Sequence, residues 1–165
     1  MKKMPYQILS VIVLFLITTS CASVQKTAPV SESAIADLNP AFNAGEYRSS
    51  EDGVVILMDA SSSMGESYDG YRKFDIAKAF VNRMNRTLPP ISAITGLRTF
   101  GHAPQLSARN TELFYGMEGY DRSKLNQSLS DISVPGGPTP MADAIYAAGE
   151  DLKKIKGKKA LVIVS

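Results

Sequence analysis

The sequence predicts an α/β fold, a doubly wound and mainly parallel sheet with helices on both faces. Three observations lead there. First, Val54-Val55-Ile56-Leu57-Met58 and Ala160-Leu161-Val162-Ile163-Val164 are short continuous apolar runs, the pattern of strands buried on both faces of a parallel sheet. Second, the chain between them repeats apolar residues at steps of three and four, which makes one face of a helix. Third, these strands and helices alternate, and such alternation lays helices over a parallel sheet. Ligands of such sheets bind at the carboxyl ends of the strands.

Each element follows in order. The first strand ends in Asp59, and residues 60–71 form a polar, flexible loop. Phe74, Ala77, Val81, Met84 and Leu88 mark a helix face, which Pro89-Pro90 stops. Residues 91–100 read as a strand ending at Gly101, and residues 112–115 as a short strand. Leu125, Leu129 and Ile132 mark a second helix, and Pro135-Gly136-Gly137-Pro138 a tight loop. Met141, Ala144, Ile145, Ala148, Leu152 and Ile155 mark a third helix that Gly157 is placed to end. Residues 160–164 are a second strand buried on both faces. Ser165 stands at its carboxyl end, and an apolar strand with nothing after it leaves a sheet edge uncovered. The expectation is a domain truncated at its C-terminus.

The chain has 165 residues, which suits one domain plus an N-terminal extension. With 44% hydrophobic and 21% charged residues, wholesale disorder is excluded. The formal net charge of +2 comes from Lys2 and Lys3, and the remainder balances 16 basic against 16 acidic residues. That balance gives no electrostatic case for nucleic acid as a partner. One cysteine, Cys21, excludes an internal disulfide framework, and one histidine, His102, excludes a histidine-based metal cluster.

The first twenty residues read as an address. Lys2 and Lys3 precede an apolar stretch over residues 8–17, too short to span a bilayer, and then the small residues Thr18-Thr19-Ser20 lead to Cys21. This stretch resembles a bacterial lipoprotein signal, although Thr18 stands where that pattern prefers leucine. The resemblance implies that Cys21 is lipidated and becomes the new N-terminus, and that Ala22 directs the protein to the outer membrane. Residues 21–52, rich in Ser, Ala, Pro and Thr, read as a lipid-anchored flexible linker. The globular domain occupies 53–165.

The chemistry concentrates in Asp59-Ala60-Ser61-Ser62-Ser63, directly after the first strand. Alternate residues Asp59, Ser61 and Ser63 can turn toward one point while Ala60 and Ser62 turn away. One carboxylate and two hydroxyls suit a hard cation such as Mg²⁺, which takes oxygen ligands. With so little protein charge around it, the ion stays electrophilic and can accept a carboxylate from another molecule. The five residues resemble the metal-ion-dependent adhesion site of von Willebrand factor A domains, and residues 136–145 resemble that family's threonine loop. The resemblance spans roughly residues 53–165. It implies that Thr139 is a third hydroxyl ligand, that the ion is Mg²⁺ or Mn²⁺, and that a further aspartate follows the strand ending at Ser165. The implied function is a binding module tethered to the envelope. Its partner is an unidentified envelope protein or cell-wall ligand offering a carboxylate. More loosely, Gly96-Leu97-Arg98-Thr99-Phe100-Gly101 and the lipoprotein start resemble envelope proteins that join such a domain to a peptidoglycan-binding one.

Plainer readings stand beside these. The serine run can be loop alone, and Thr139 before Pro140 is a good helix N-cap with proline at the first helical position. Asp143 reads as a first-turn carboxylate favoured by the helix dipole, Asp75 as an exposed early-helix residue, and His102 as structural or exposed. Tyr68, Tyr71, Tyr115 and Tyr120 lie in or near loops. An enzyme is the weaker alternative. A Mg²⁺-dependent phosphatase of the haloacid dehalogenase kind also places an aspartate after the first strand, but it needs a second aspartate two residues on as acid/base, where Ser61 stands. A serine hydrolase needs a base, and His102 is the single histidine. No Gly-x-Ser-x-Gly elbow surrounds Ser61 or Ser63. The remaining alternative is a structural envelope protein whose metal site no longer functions.

Overall fold

The computed structural model describes residues 37–103 and 109–165. The signal segment, Cys21 and the first part of the linker lie outside them. The described chain runs α1 (Asn39–Asn43), β1 (Gly53–Asp59), β2 (Ser67–Tyr68), β3 (Tyr71–Arg72), α2 (Lys73–Thr87), β4 (Ile94–Phe100), β5 (His102–Ala103), β6 (Thr111–Gly119), α3 (Arg122–Asp131), β7 (Val134–Pro135), α4 (Met141–Lys153) and β8 (Lys159–Val164).

Four strands form the central sheet in the order β6-β4-β1-β8. β1 pairs in parallel with β4 on one side and β8 on the other, and β6 runs antiparallel along β4. The fold is therefore α/β with a mainly parallel sheet. β1 explains its unbroken apolar run: Ile56 and Met58 pack under α2 and α3, while Val55 and Leu57 pack under α4. A strand covered on both faces has no polar side to alternate with. Helices thus cover both faces.

α2 turns Phe74, Ala77 and Val81 into the core, as the sequence spacing requires. It also buries Asn85, whose Nδ2 donates to the Arg122 carbonyl at 3.0 Å and whose Oδ1 accepts from the Tyr120 hydroxyl at 2.8 Å. That pair of bonds ties α2 to the start of α3. Asp121 caps α3 by accepting from the Lys124 amide. α4 buries Ala144, Ala148 and Leu152.

Several expectations are corrected. β6 is nine residues long rather than four, and it crosses a register shift opposite Gly96. A Cβ on Gly96 would meet Met117 Sδ at 2.6 Å, so the flexible Met117 side chain would have to swing aside. Ile145 faces solvent instead of the core. β8 is half-exposed rather than buried on both faces, because among the described residues β1 is its one strand partner. Gly157 does follow α4 with φ +90°, but the Leu152 carbonyl is taken by Ile155 two residues earlier.

The segment read as linker is described from residue 37 onward. Its α1 brings Leu38 and Phe42 to an apolar cavity of about 390 Å³, also lined by Val54, Ile56, Met84 and Leu88. Asp52 then joins the domain: its backbone N–H donates to the Lys158 carbonyl, and its Oδ2 accepts from the Lys158 amide, both at 2.8 Å. Among the described residues no helix is long and apolar enough to cross a membrane.

Candidate metal centre

The carboxyl ends of β1 and β4 lie level, since Asp59 pairs in register with Phe100. β8 ends beside them, with Met58 opposite Val164. The chain leaves β1 toward β4 on one side and later returns through β8 on the other. A reversal of strand order at β1 opens a crevice at its carboxyl end, the place where open α/β sheets take ligands.

Asp59 is the last residue of β1, and its carboxylate is almost wholly buried. Oδ1 accepts from the Ser61 amide at 2.8 Å, and Oδ2 accepts from the Ser165 hydroxyl at 2.7 Å. The Ser61 bond bends the chain off the strand axis, as an aspartate bonding two residues ahead does. Ser61 is fully buried and extended, and a 3₁₀ turn over Ser62–Gly65 follows, anchored by the buried Met64. This turn brings Ser63 Oγ to 3.2 Å from Ser61 Oγ. Ser63 is exposed, so the cluster of Asp59, Ser61 and Ser63 opens to solvent on that side.

Three loops are joined here by main-chain bonds. The Ala60 amide donates to the Phe100 carbonyl at 2.8 Å, the Ser62 amide to the Gly137 carbonyl at 2.9 Å, and the Gly137 amide to the Gly101 carbonyl at 2.7 Å. Ser61 and Gly137 form a parallel bridge. Gly101 sits at the junction with φ +72°, and a Cβ there would lie 2.5 Å from the Pro138 oxygen and 2.6 Å from Ser61 Cα. Only glycine meets both demands.

The glycine loop carries Thr139 to this end of the sheet. Its carbonyl accepts from the Met141 amide at 2.9 Å, and its side chain is exposed. The helix N-cap is Pro140 rather than Thr139, and no side chain caps α4. The hydroxyl of Thr139 is therefore not spent on capping. Asp143 is exposed in the first turn of α4. Asp75 is partly buried and held by Arg72 at 2.7 Å, not simply exposed.

His102 is buried behind these loops. Its Nδ1 lies 2.8 Å from Thr99 Oγ1, and its ring meets the edge of Phe114. Burial pushes its pKa below the usual imidazole value, with Glu112 opposing weakly. Tyr115 and Tyr120 are structural: the Tyr115 hydroxyl donates to the Gly119 carbonyl at 2.6 Å and accepts from the Asp121 amide, and Tyr120 binds Asn85. Tyr68 is exposed on the hairpin beside the serine loop. Sequence reasoning missed Ser165 as a partner of Asp59, Gly101 as the junction, and Asn110 behind it. A glycine ending a strand was a visible signal for Gly101. Nothing local marked Asn110.

The donor set can be tested against a hard cation. Neighbouring ligands of a Mg²⁺ octahedron with a radius of about 2.1 Å stand about 3.0 Å apart. The two serine hydroxyls are separated by 3.2 Å. Among the described residues no three His, Cys, Asp or Glu side chains gather, so one carboxylate with hydroxyls is the oxygen set on offer.

A family model of the von Willebrand factor type A domain matches residues 54–165. The chain is 33% identical over 136 residues to YwmD of Bacillus subtilis, covering 77% of this chain and 59% of that protein. It is 27% identical over 121 residues to YwmC of the same organism, covering 68% of this chain and 52% of that protein. The chain thus spans between about half and three-fifths of the length of these curated relatives.

Proposed function

The chain belongs to the von Willebrand factor type A domain family, and from that premise we propose that it is a metal-dependent binding module of the bacterial envelope. Domains of this family often bind a divalent metal ion. Asp59, Ser61, Ser63 and Thr139 would hold Mg²⁺ or Mn²⁺. When bound, the ion supplies an electrophilic position for the carboxylate of an envelope protein or cell-wall ligand. The observation that carries this reading is the spacing of the two serine hydroxyls beside a carboxylate, at the solvent-facing end of β1.

The chain's own residues set up that role. The Ser61 amide and the Ser165 hydroxyl fix both oxygens of Asp59, so the carboxylate needs little reorganisation. Burial of Ser61 and exposure of Ser63 give the site a closed floor and an open mouth. With one carboxylate in the set, affinity for a partner's carboxylate is retained. Ser61 stands two residues after Asp59, where a phosphatase of the haloacid dehalogenase kind would need a second aspartate as acid/base, which disfavours that form of catalysis. The tether rests on the sequence around Cys21, read as a lipoprotein signal.

Titration of the full chain with Mn²⁺ tests the metal. A ligand that binds the folded form raises the melting temperature by mass action. Mn²⁺ should raise it in the parent chain and not in Asp59→Ala. Absence of binding at millimolar Mn²⁺ and Mg²⁺ overturns the reading. For the tether, palmitate labelling in cells should vanish in Cys21→Ser, and labelling that persists would remove Cys21 from the proposal.

A further inference from the structure

Behind the serine loop lie buried side-chain polar atoms that, among the described residues, make no hydrogen bond. They are His102 Nε2 and both amide atoms of Asn110. A buried amide with neither its donor nor its acceptor used is costly, and native proteins keep few of them. Asn110 is 3% exposed. Its backbone serves the junction, because its carbonyl accepts from the Gly101 amide at 2.9 Å.

The side chain points at the glycine loop: a Cβ on Gly137 would collide with Asn110 Nδ2. Gly137 is the residue whose carbonyl holds the Ser62 amide and whose amide is held by Gly101. Asn110 therefore touches the segment that ties Thr139 to the serine loop. The backbone of Asn110 has φ +48°, which asparagine tolerates. The turn explains an asparagine only in part. Glycine would meet it equally well and would leave no unpaired amide.

We infer that Asn110 is a positioning residue for the metal centre: its side-chain amide pairs with the main chain of Gly136-Gly137 when the loop engages Thr139 with the ion. The amide makes there the hydrogen bonds that the present arrangement lacks, and so favours the loop placement in which Thr139 is a ligand. This rests on the metal-binding reading above.

The experiment compares Mn²⁺ affinity and melting temperature for the full parent chain and Asn110→Gly. Asn110→Gly keeps the turn and removes the amide. It should bind Mn²⁺ about 5–10-fold more weakly, the worth of roughly one hydrogen bond. Without added metal, Asn110→Gly should melt no lower than the parent. If the parent does not bind Mn²⁺, the metal-binding reading fails and takes this inference with it. If the parent binds and Asn110→Gly binds within twofold of it, this inference alone is overturned. A lower melting temperature for Asn110→Gly without metal also overturns it, because the amide would then have partners that do not depend on the ion.

Discussion

Gly101→Ala should separate the three loops at the carboxyl end of β1, and the cost can be worked from the junction itself. A side chain held at φ +72° costs about 1–2 kcal/mol. The new Cβ would lie 2.5 Å from the Pro138 oxygen, 2.6 Å from Ser61 Cα and 2.8 Å from Ser61 Cβ. Two of those atoms are main chain and cannot swing aside, so the loops must part. Parting them strains the bonds from Gly137 to Gly101 at 2.7 Å and from Ser62 to Gly137 at 2.9 Å, each worth about 1 kcal/mol net. The total is about 3–4 kcal/mol, or roughly 10 °C of melting temperature for a chain of this size. Two other glycines separate the contributions. Gly70 has φ +80° with nothing within 4 Å of a Cβ, so Gly70→Ala should lose only the conformational part, about 1–2 kcal/mol. Gly116 has neither strain nor neighbours, and Gly116→Ala should be close to neutral. Urea unfolding of the three variants beside the parent reads all of this. If Gly101→Ala costs no more than Gly70→Ala, the loops are not locked together and the reasoning fails.

Two further predictions concern the support beneath the site. Arg98 Nε donates to Asp151 Oδ2 at 2.8 Å, with side chains 12% and 15% exposed. Asp151→Ala removes the carboxylate partner of that guanidinium, leaving it the 3.3 Å bond to Thr111 Oγ1, and should cost about 3–5 kcal/mol, whereas Arg98→Met with Asp151→Leu should be near neutral; equal losses in urea would refute the buried-pair account. Burial lowers the His102 pKa, so below about pH 6.5 the unfolded chain binds the proton that the folded chain refuses. Its contribution is complete above that pH and declines as the pH falls toward the lowered value. His102→Phe should flatten that decline in urea midpoints, and an unchanged slope would assign it to other groups.

How much was legible depended on how local the physics is. Residues 54–58 announce a strand covered on both faces because burial on both sides removes every polar position. Phe74, Ala77 and Val81 announce a helix face for the matching reason, and the order Asp59, Ser61, Ser63 announces a loop of oxygens. β6 was read short because its residues do not alternate cleanly across the register shift opposite Gly96. Thr139 looked like a cap because the local pattern favours one, yet Pro140 holds that position and no side chain caps the helix. Ile145 fits the helical spacing but lies at the margin of the face that α4 turns to the sheet. The partner of Asp59 at Ser165 and the burial of His102 arise between residues far apart in sequence, where no window carries the signal.

The junction of the three loops is made of peptide groups. Amide and carbonyl of Ala60, Ser62, Phe100, Gly101 and Gly137 do the holding, and beyond the two glycines no side chain at these positions is required for it. The outward-facing side chains around the mouth, such as those of Ser62, Glu66, Tyr68 and Pro138, are free of that duty. A frame of this kind separates durability from preference: a lineage can reshape the rim to suit a new partner while the scaffold under the oxygens stays as it is.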